Sequence, residues 1–232
     1  MKQLAIKGVI VASGDAWIYK WLGMDCTCPA DVTKALTEAN GEDIEVLINS
    51  DGGSVFAGTE IYTKLREYAG KCVIKIQSMA ASAAAVIAKA RESEISPVAQ
   101  IMIHNVSASA QGDNRDMEHT AEILKTCNQS LAKAFTAKTG KTEAEVLDMM
   151  DHETWMTAER AVKEGFVDRI MFEDKQSSMP MQLSNSLGSG LLPEAALEYF
   201  RTHLQNQKKT TARERAQAEY ELLVMEERKH EV

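Results

Sequence analysis

The stretch I-E-V-L-I-N-S-D-G-G-S-V-F-A-G-T-E-I-Y-T-K-L, residues 44–65, reads as three pieces in a row. Ile44–Asn49 is short, apolar and rich in Ile and Val, which marks a buried strand. Gly52 and Gly53 then break the pattern, and without a Cβ they open backbone conformations closed to other residues. A helix is expected from Phe56 to Ala69. Strand, glycine turn and helix in this order form the unit of a layered α/β fold.

The same alternation extends to both sides. Strands are expected at Leu4–Val11, Cys72–Gln77, Gln100–Ile103 and Phe166–Met171, and helices at Ala30–Ala39, Ser82–Arg91, Asp113–Lys138, Thr142–Met150 and Thr157–Glu164. Parallel strands joined by crossover helices follow from this order. Asp113–Lys138 is long for a globular helix. Its stripe of Ile123, Leu124, Cys127, Leu131, Ala134 and Phe135 must cover either the domain body or another subunit. Residues 1–175 are read as one domain. Composition then shifts: residues 176–192 read as a linker rich in Ser, Met, Asn, Gln and Gly, and residues 193–232 as a charged helical tail.

Composition excludes several classes. With 26 Lys and Arg against 34 Asp and Glu, the net charge is −8, which argues against nucleic acid as the main partner. No apolar run is long enough to span a membrane, no secretory signal is recognisable, and a cytoplasmic location is expected. Cys26 and Cys28 form a C-T-C pair while Cys72 and Cys127 stand alone. Without a second pair or histidines at ligand spacing, no metal site is expected, and the four read as plain thiols. No cofactor is called for.

Three places carry candidate chemistry. In Ile48–Ser54, amide N–H groups beside the glycine pair face outward near a helix start, the geometry that receives an anion. In Gln77–Ala88, an alanine-rich helix former follows a strand, so Ser82 falls at a helix start with the Ala83 amide unpaired. An exposed hydroxyl beside a free amide suits acyl transfer; the competing reading is an ordinary N-cap serine. In Q-I-M-I-H-N-V, His104 ends a short strand that can neighbour the strand before Ser82, close enough to serve as a general base. Asp151 and Glu153, ahead of a helix capped by Thr157, are candidates for the carboxylate that fixes the imidazole tautomer, and spacing does not choose between them.

Taken in order, I-N-S-D-G-G-S-V-F-A-G-T-E-I-Y, S-M-A-A-S-A-A-A-V-I-A, I-M-I-H-N and W-M-T-A-E-R-A-V-K-E-G-F-V-D resemble the Clp protease proteolytic subunit, over a span from about Ile6 to Met171. G-D-A-W-I-Y-K-W-L-G and K-T-G-K-T look most like the phage-encoded branch of head-maturation proteases. The resemblance implies an α/β spiral of strand-strand-helix units, shared with crotonases, with Asp113–Lys138 as a projecting handle helix. It implies a serine endopeptidase with Ser82 as nucleophile, His104 as base, and the Gly53 and Ala83 amides as oxyanion hole. Where the family carries R-D-R-F-L-S-A, this chain has H-E-T-W-M-T-A, which puts Glu153 in the aspartate slot with Asp151 as the alternative acid. Asp51 stands where the family usually has proline.

Partners implied by the resemblance are polypeptide substrates, a homo-oligomeric ring or stacked rings, and an ATP-dependent unfoldase or, for the phage type, capsid and scaffold proteins. The chain itself has no G-x-x-x-x-G-K-[ST] nucleotide loop. Two other readings stay open at this point: a catalytically inactive ring-forming assembly component, and a crotonase-like acyl-CoA enzyme, since one fold hosts several chemistries. A serine–lysine pair using Lys89 is disfavoured, because seven residues of helix rise about 10 Å.

Overall fold

A computed structural model describes residues 1–172; the expected linker at 176–192 and tail at 193–232 lie outside the described residues. The chain opens with β1 (Lys2–Ile10), α1 (Ala16–Trp21), β2 (Cys26–Thr27) and α2 (Pro29–Ala39). β3 (Ile44–Gly53), α3 (Val55–Glu67), β4 (Cys72–Ala81) and α4 (Ala83–Ile87) follow. Then come β5 (Glu92–Ile95), β6 (Gln100–Ile103), α5 (Asn114–Thr139), α6 (Glu143–Asp151), β7 (Thr154–Thr157), α7 (Ala158–Lys163) and β8 (Arg169–Ile170).

The sheet runs β2-β1-β3-β4-β5-β8, every neighbouring pair parallel. Parallel neighbours cannot be joined by a tight hairpin, so helices make the crossings. Strands covered on both faces need apolar side chains on both, and the core accordingly gathers Ile6, Ile48, Ile61, Leu65, Ile74, Ile76 and Phe135. A smaller cluster under α1 holds Val11, Ile18, Tyr19 and Cys28.

β4 serves two partners. Val73–Ile76 pair with β5, whereas Met79–Ala81 pair with β6, so the sheet forks where β4 passes Gln77 and Ser78. β6 then pairs antiparallel with β7. This fork carries the chain ends that build the site below.

Several elements depart from the sequence expectation. Phe166–Met171 yields strand only at Arg169–Ile170; Phe166 and Val167 are buried by packing outside the ladder. The helix expected to Arg91 stops at Ile87. β5 is E-S-E-I, too polar to read as a strand; Arg169 on the edge strand β8 pairs with both Glu92 and Glu94, which makes those charges tolerable inside the sheet. α1, β2 and β7 were also unforeseen: two are two- to six-residue elements, and T-W-M-T is too short for a periodic signal.

The helix α5 starts at a capping box in which Asp113 and Asp116 exchange bonds with each other's amides, and ends on left-handed Gly140 (φ 74°). Its 26 residues span about 39 Å at 1.5 Å per residue. Only Leu131, Ala132, Ala134 and Phe135 are buried, so the Asn114–Ser130 portion projects beyond the core with Met117 and Ile123 exposed. Among the described residues no helix is long and apolar enough to cross a membrane, no cluster of side chains is arranged to hold a metal, and the four cysteines are free thiols.

Candidate active site

The fork in β4 brings Ser82 and His104 together. Ala81 is in register with Met102, and the Ser82 amide donates to the Met102 carbonyl at 2.9 Å. Ser82 thus turns off the end of one strand beside the end of the next, and His104 follows Ile103 on that neighbour. Ser82 Oγ and His104 Nε2 lie 2.9 Å apart. A hydroxyl donating to Nε2 requires the tautomer with its proton on Nδ1.

Ser82 occupies the N-cap position of α4 yet makes no side-chain cap bond, so its hydroxyl is free for the imidazole. Its backbone sits at φ 53°, ψ −121°, a region that costs a residue with a Cβ about 1–3 kcal/mol. The sharp strand-to-helix corner projects Oγ outward, at the expense of local strain. Ala83 opens α4, where first-turn amides lack intrahelical acceptors.

The glycine pair packs against this corner. Gly52 has φ +101°, and a Cβ there would meet Ala81 O and Ser82 Cβ at 2.7 Å. Gly53 has φ +138°, and a Cβ there would fall 2.3 Å from Ile10 O. Here conformation and space both demand glycine. Ser50 reinforces the turn, its hydroxyl donating to Gly8 O and accepting from the Gly52 amide. Gly58 lets α3 approach α4, since a Cβ there would stand 2.9 Å from Ala83 Cβ.

The two candidate acids bond elsewhere. β6–β7 pairing sets Ile103 opposite Thr154, so one step further along the antiparallel register His104 faces Glu153. The ladder stops there, because Glu153 turns into the left-handed region at φ 45°. Its Oε1 accepts from Trp155 Nε1 at 3.2 Å. Asp151 Oδ1 accepts from Asn105 Nδ2 at 2.5 Å. Neither carboxylate is hydrogen-bonded to His104.

Ser82, His104, Gly53, Asp51 and Glu153 share one cleft, whose apolar walls come from Val86, Ile103, Val106, Leu131, Phe135 and Trp155. Leu131 and Phe135 belong to the base of α5, and Asn128 on the same helix accepts from the Val106 amide at 2.8 Å. The projecting helix is therefore tied directly to the segment carrying His104. Lys89 takes no part: its Nζ donates to Phe166 O at 2.6 Å on the far side of α4.

Sequence reasoning missed Trp155, Asn105 and Asn128. Recognising β7 would have found Trp155, since residues two apart on a strand share a face with Glu153. Asn128 interrupts the stripe of Leu124, Cys127, Leu131 and Phe135 with a polar side chain, which was the available signal.

Comparisons with known proteins show the family. The Clp protease family model matches residues 30–174, more than half the chain. The ATP-dependent Clp protease proteolytic subunit of Bacteroides fragilis is 33% identical over 137 residues, covering 57% of this chain and 66% of that protein. That of Porphyromonas gingivalis is 33% identical over 141 residues, 59% of this chain and 63% of the relative. Proteolytic subunit 2 of Tropheryma whipplei is 33% identical over 135 residues, 57% of this chain and 75% of the relative. The chain belongs to the Clp protease family. It spans a little under two thirds of the Bacteroides and Porphyromonas subunits it matches.

Proposed function

We propose that the chain is a serine endopeptidase, and the observation that carries this reading is the 2.9 Å approach of Ser82 Oγ to His104 Nε2 at a strained, outward-facing corner. Ser82 Oγ attacks the peptide carbonyl carbon while His104 Nε2 takes its proton. The carbonyl oxygen becomes an oxyanion held by the Gly53 and Ala83 amides. Collapse breaks the C–N bond, and the departing amine receives the proton from His104. Water, deprotonated by the same imidazole, then releases the acyl group and restores Ser82.

Glu153 is the proposed acid, swinging from Trp155 to His104 Nδ1–H when the cleft is filled; Asp151 is the alternative. Register supports Glu153, because an unbroken ladder would set it opposite His104. The projecting part of α5, with exposed Met117 and Ile123, supports assembly into rings, and the resemblance to the phage-encoded branch extends the proposal to capsid or scaffold substrates cleaved without an unfoldase. An acyl-CoA enzyme of the crotonase kind has no use for the Ser82–His104 pair.

The test is fluorophosphonate labelling of the assembled protein, with peptide mapping. Modification at Ser82 that disappears in Ser82→Ala and is lost with His104→Ala supports the reading. An inert Ser82 in a folded, assembled protein leaves a ring component without proteolytic activity. Measuring casein cleavage with and without an added ATP-driven unfoldase separates the two partner proposals.

A further inference from the structure

Away from the cleft, α4 hands on to a buried charge. Lys89 is 3% exposed, yet of its three ammonium N–H donors the Phe166 carbonyl takes one, and the Phe166 ring stands 5.2 Å from Nζ. Asp168, whose charge acts on it, is bonded instead to Lys138 Nζ, the Ser93 amide and the Ser93 hydroxyl. A buried ammonium with spare donors and no bonded carboxylate is costly. Burial first, and Lys138 second, pull the Lys89 pKa down to about 7, with Asp168 opposing.

Lys89 does not face solid core. It lines a cavity of about 500 Å3 bounded by Tyr62 and Arg66 of α3, Arg91 and Glu92 beyond α4, and Lys138 and Asp168. Four cations meet two carboxylates there, and both carboxylates are committed: Glu92 pairs with Arg169, Asp168 with Lys138. Arg91 spends its guanidinium on the carbonyls of Leu65, Arg66 and Tyr68, so it lends charge more than donors. Among the described residues the Arg66 guanidinium makes only a long 3.4 Å bond, to Ala90 O, and the residue is exposed.

We propose that this cavity binds a small tetrahedral oxyanion of the inorganic phosphate class, held between Lys89 at its floor and Arg66 at its rim. Lys89, with two N–H groups to spare, and the Arg66 guanidinium both line a volume with a surplus of positive charge, and charge-assisted bonds to an oxyanion would satisfy both. Only a compact anion reaches so deeply buried an ammonium, which separates this site from one for an acidic chain. Binding above pH 7 brings a proton onto Lys89 with the anion.

The experiment is thermal unfolding of the full chain at pH 7 in rising phosphate, with chloride at matched ionic strength as reference. A ligand of the native state raises the midpoint along a saturating curve, whereas general salt exclusion from the surface does not saturate. The expected result is a saturable, phosphate-specific rise that Lys89→Met abolishes. Arg66→Gln, at an exposed position, should raise the half-saturating concentration about tenfold or more through loss of a charge-assisted bond. A wild-type curve without a saturable component overturns the proposal, and so does an Arg66→Gln curve identical to wild type. Should Lys89→Met fail to fold, the Arg66→Gln comparison decides alone.

Discussion

The two halves of the candidate site are built from different materials. Ser82, His104 and the glycine pair are set by main-chain pairing: Ala81 against Met102, Ser82 N on Met102 O, Gly53 against Ile10. The carboxylates are set by side-chain bonds at the surface, Glu153 to Trp155 and Asp151 to Asn105. Ladder hydrogen bonds leave little freedom, while exposed side chains on a terminated strand can re-pair at modest cost. The proposed nucleophile and base are thus held ready, and the proposed acid is the adjustable part.

The severest way to break this comparison is at the ladder-held half. Ser82→Ala should reduce peptide cleavage by on the order of 10⁶ with assembly unchanged; parental activity in an assembled Ser82→Ala protein removes Ser82 from the chemistry. Gly52→Ala forces a Cβ into Ala81 O and Ser82, and a displacement of that corner by an ångström should lower kcat/KM about 10²-fold. Retention of full activity with cooperative melting would mean that the corner yields more readily than its close contacts imply.

The adjustable half should respond less. Glu153→Gln is expected to lower kcat by roughly 10²- to 10³-fold, short of the ~10⁴ seen when a fully engaged triad acid is neutralised. Asp151→Asn should cost under about tenfold, since it loses only the Asn105 tether. The opposite ranking, read from pH–rate profiles of both variants, moves the acid role to Asp151.

The last effect concerns stability rather than rate. The Lys89 pKa is lowered in the fold, so between about 7 and 10.5 the unfolded chain binds more protons and native stability rises with pH. Relative to Lys89→Met, wild type should gain up to about 1.4 kcal/mol per pH unit across that window and nothing below it. Denaturant titrations of both proteins at pH 6, 7.5 and 9 check the slope.

The sequence was most readable where backbone and pattern coincide. The strand–glycine–helix unit, the long helix at Asp113–Lys138, and the positions of Ser82 and His104 all rest on local chemistry that a single chain displays. Where the arrangement depends on partners far along the chain, the signal vanished. Glu92 and Glu94 form a strand because Arg169 arrives some 75 residues later to pair with them. The Glu153–Trp155 bond needed β7 to be seen, and four residues cannot display a period. Helical rise alone set Lys89 apart from Ser82, but that its ammonium would be buried on the Phe166 carbonyl 77 residues away was not legible.

Because the Ser82 amide hangs on the Met102 carbonyl, and Met102 lies two residues before His104, the proposed nucleophile and base are spaced by one seam between β4 and β6. A distortion that slides β6 past β4 breaks this bond and draws the imidazole away from the hydroxyl in one motion, so the proposed activity would be lost abruptly through that seam and regained when the seam closes.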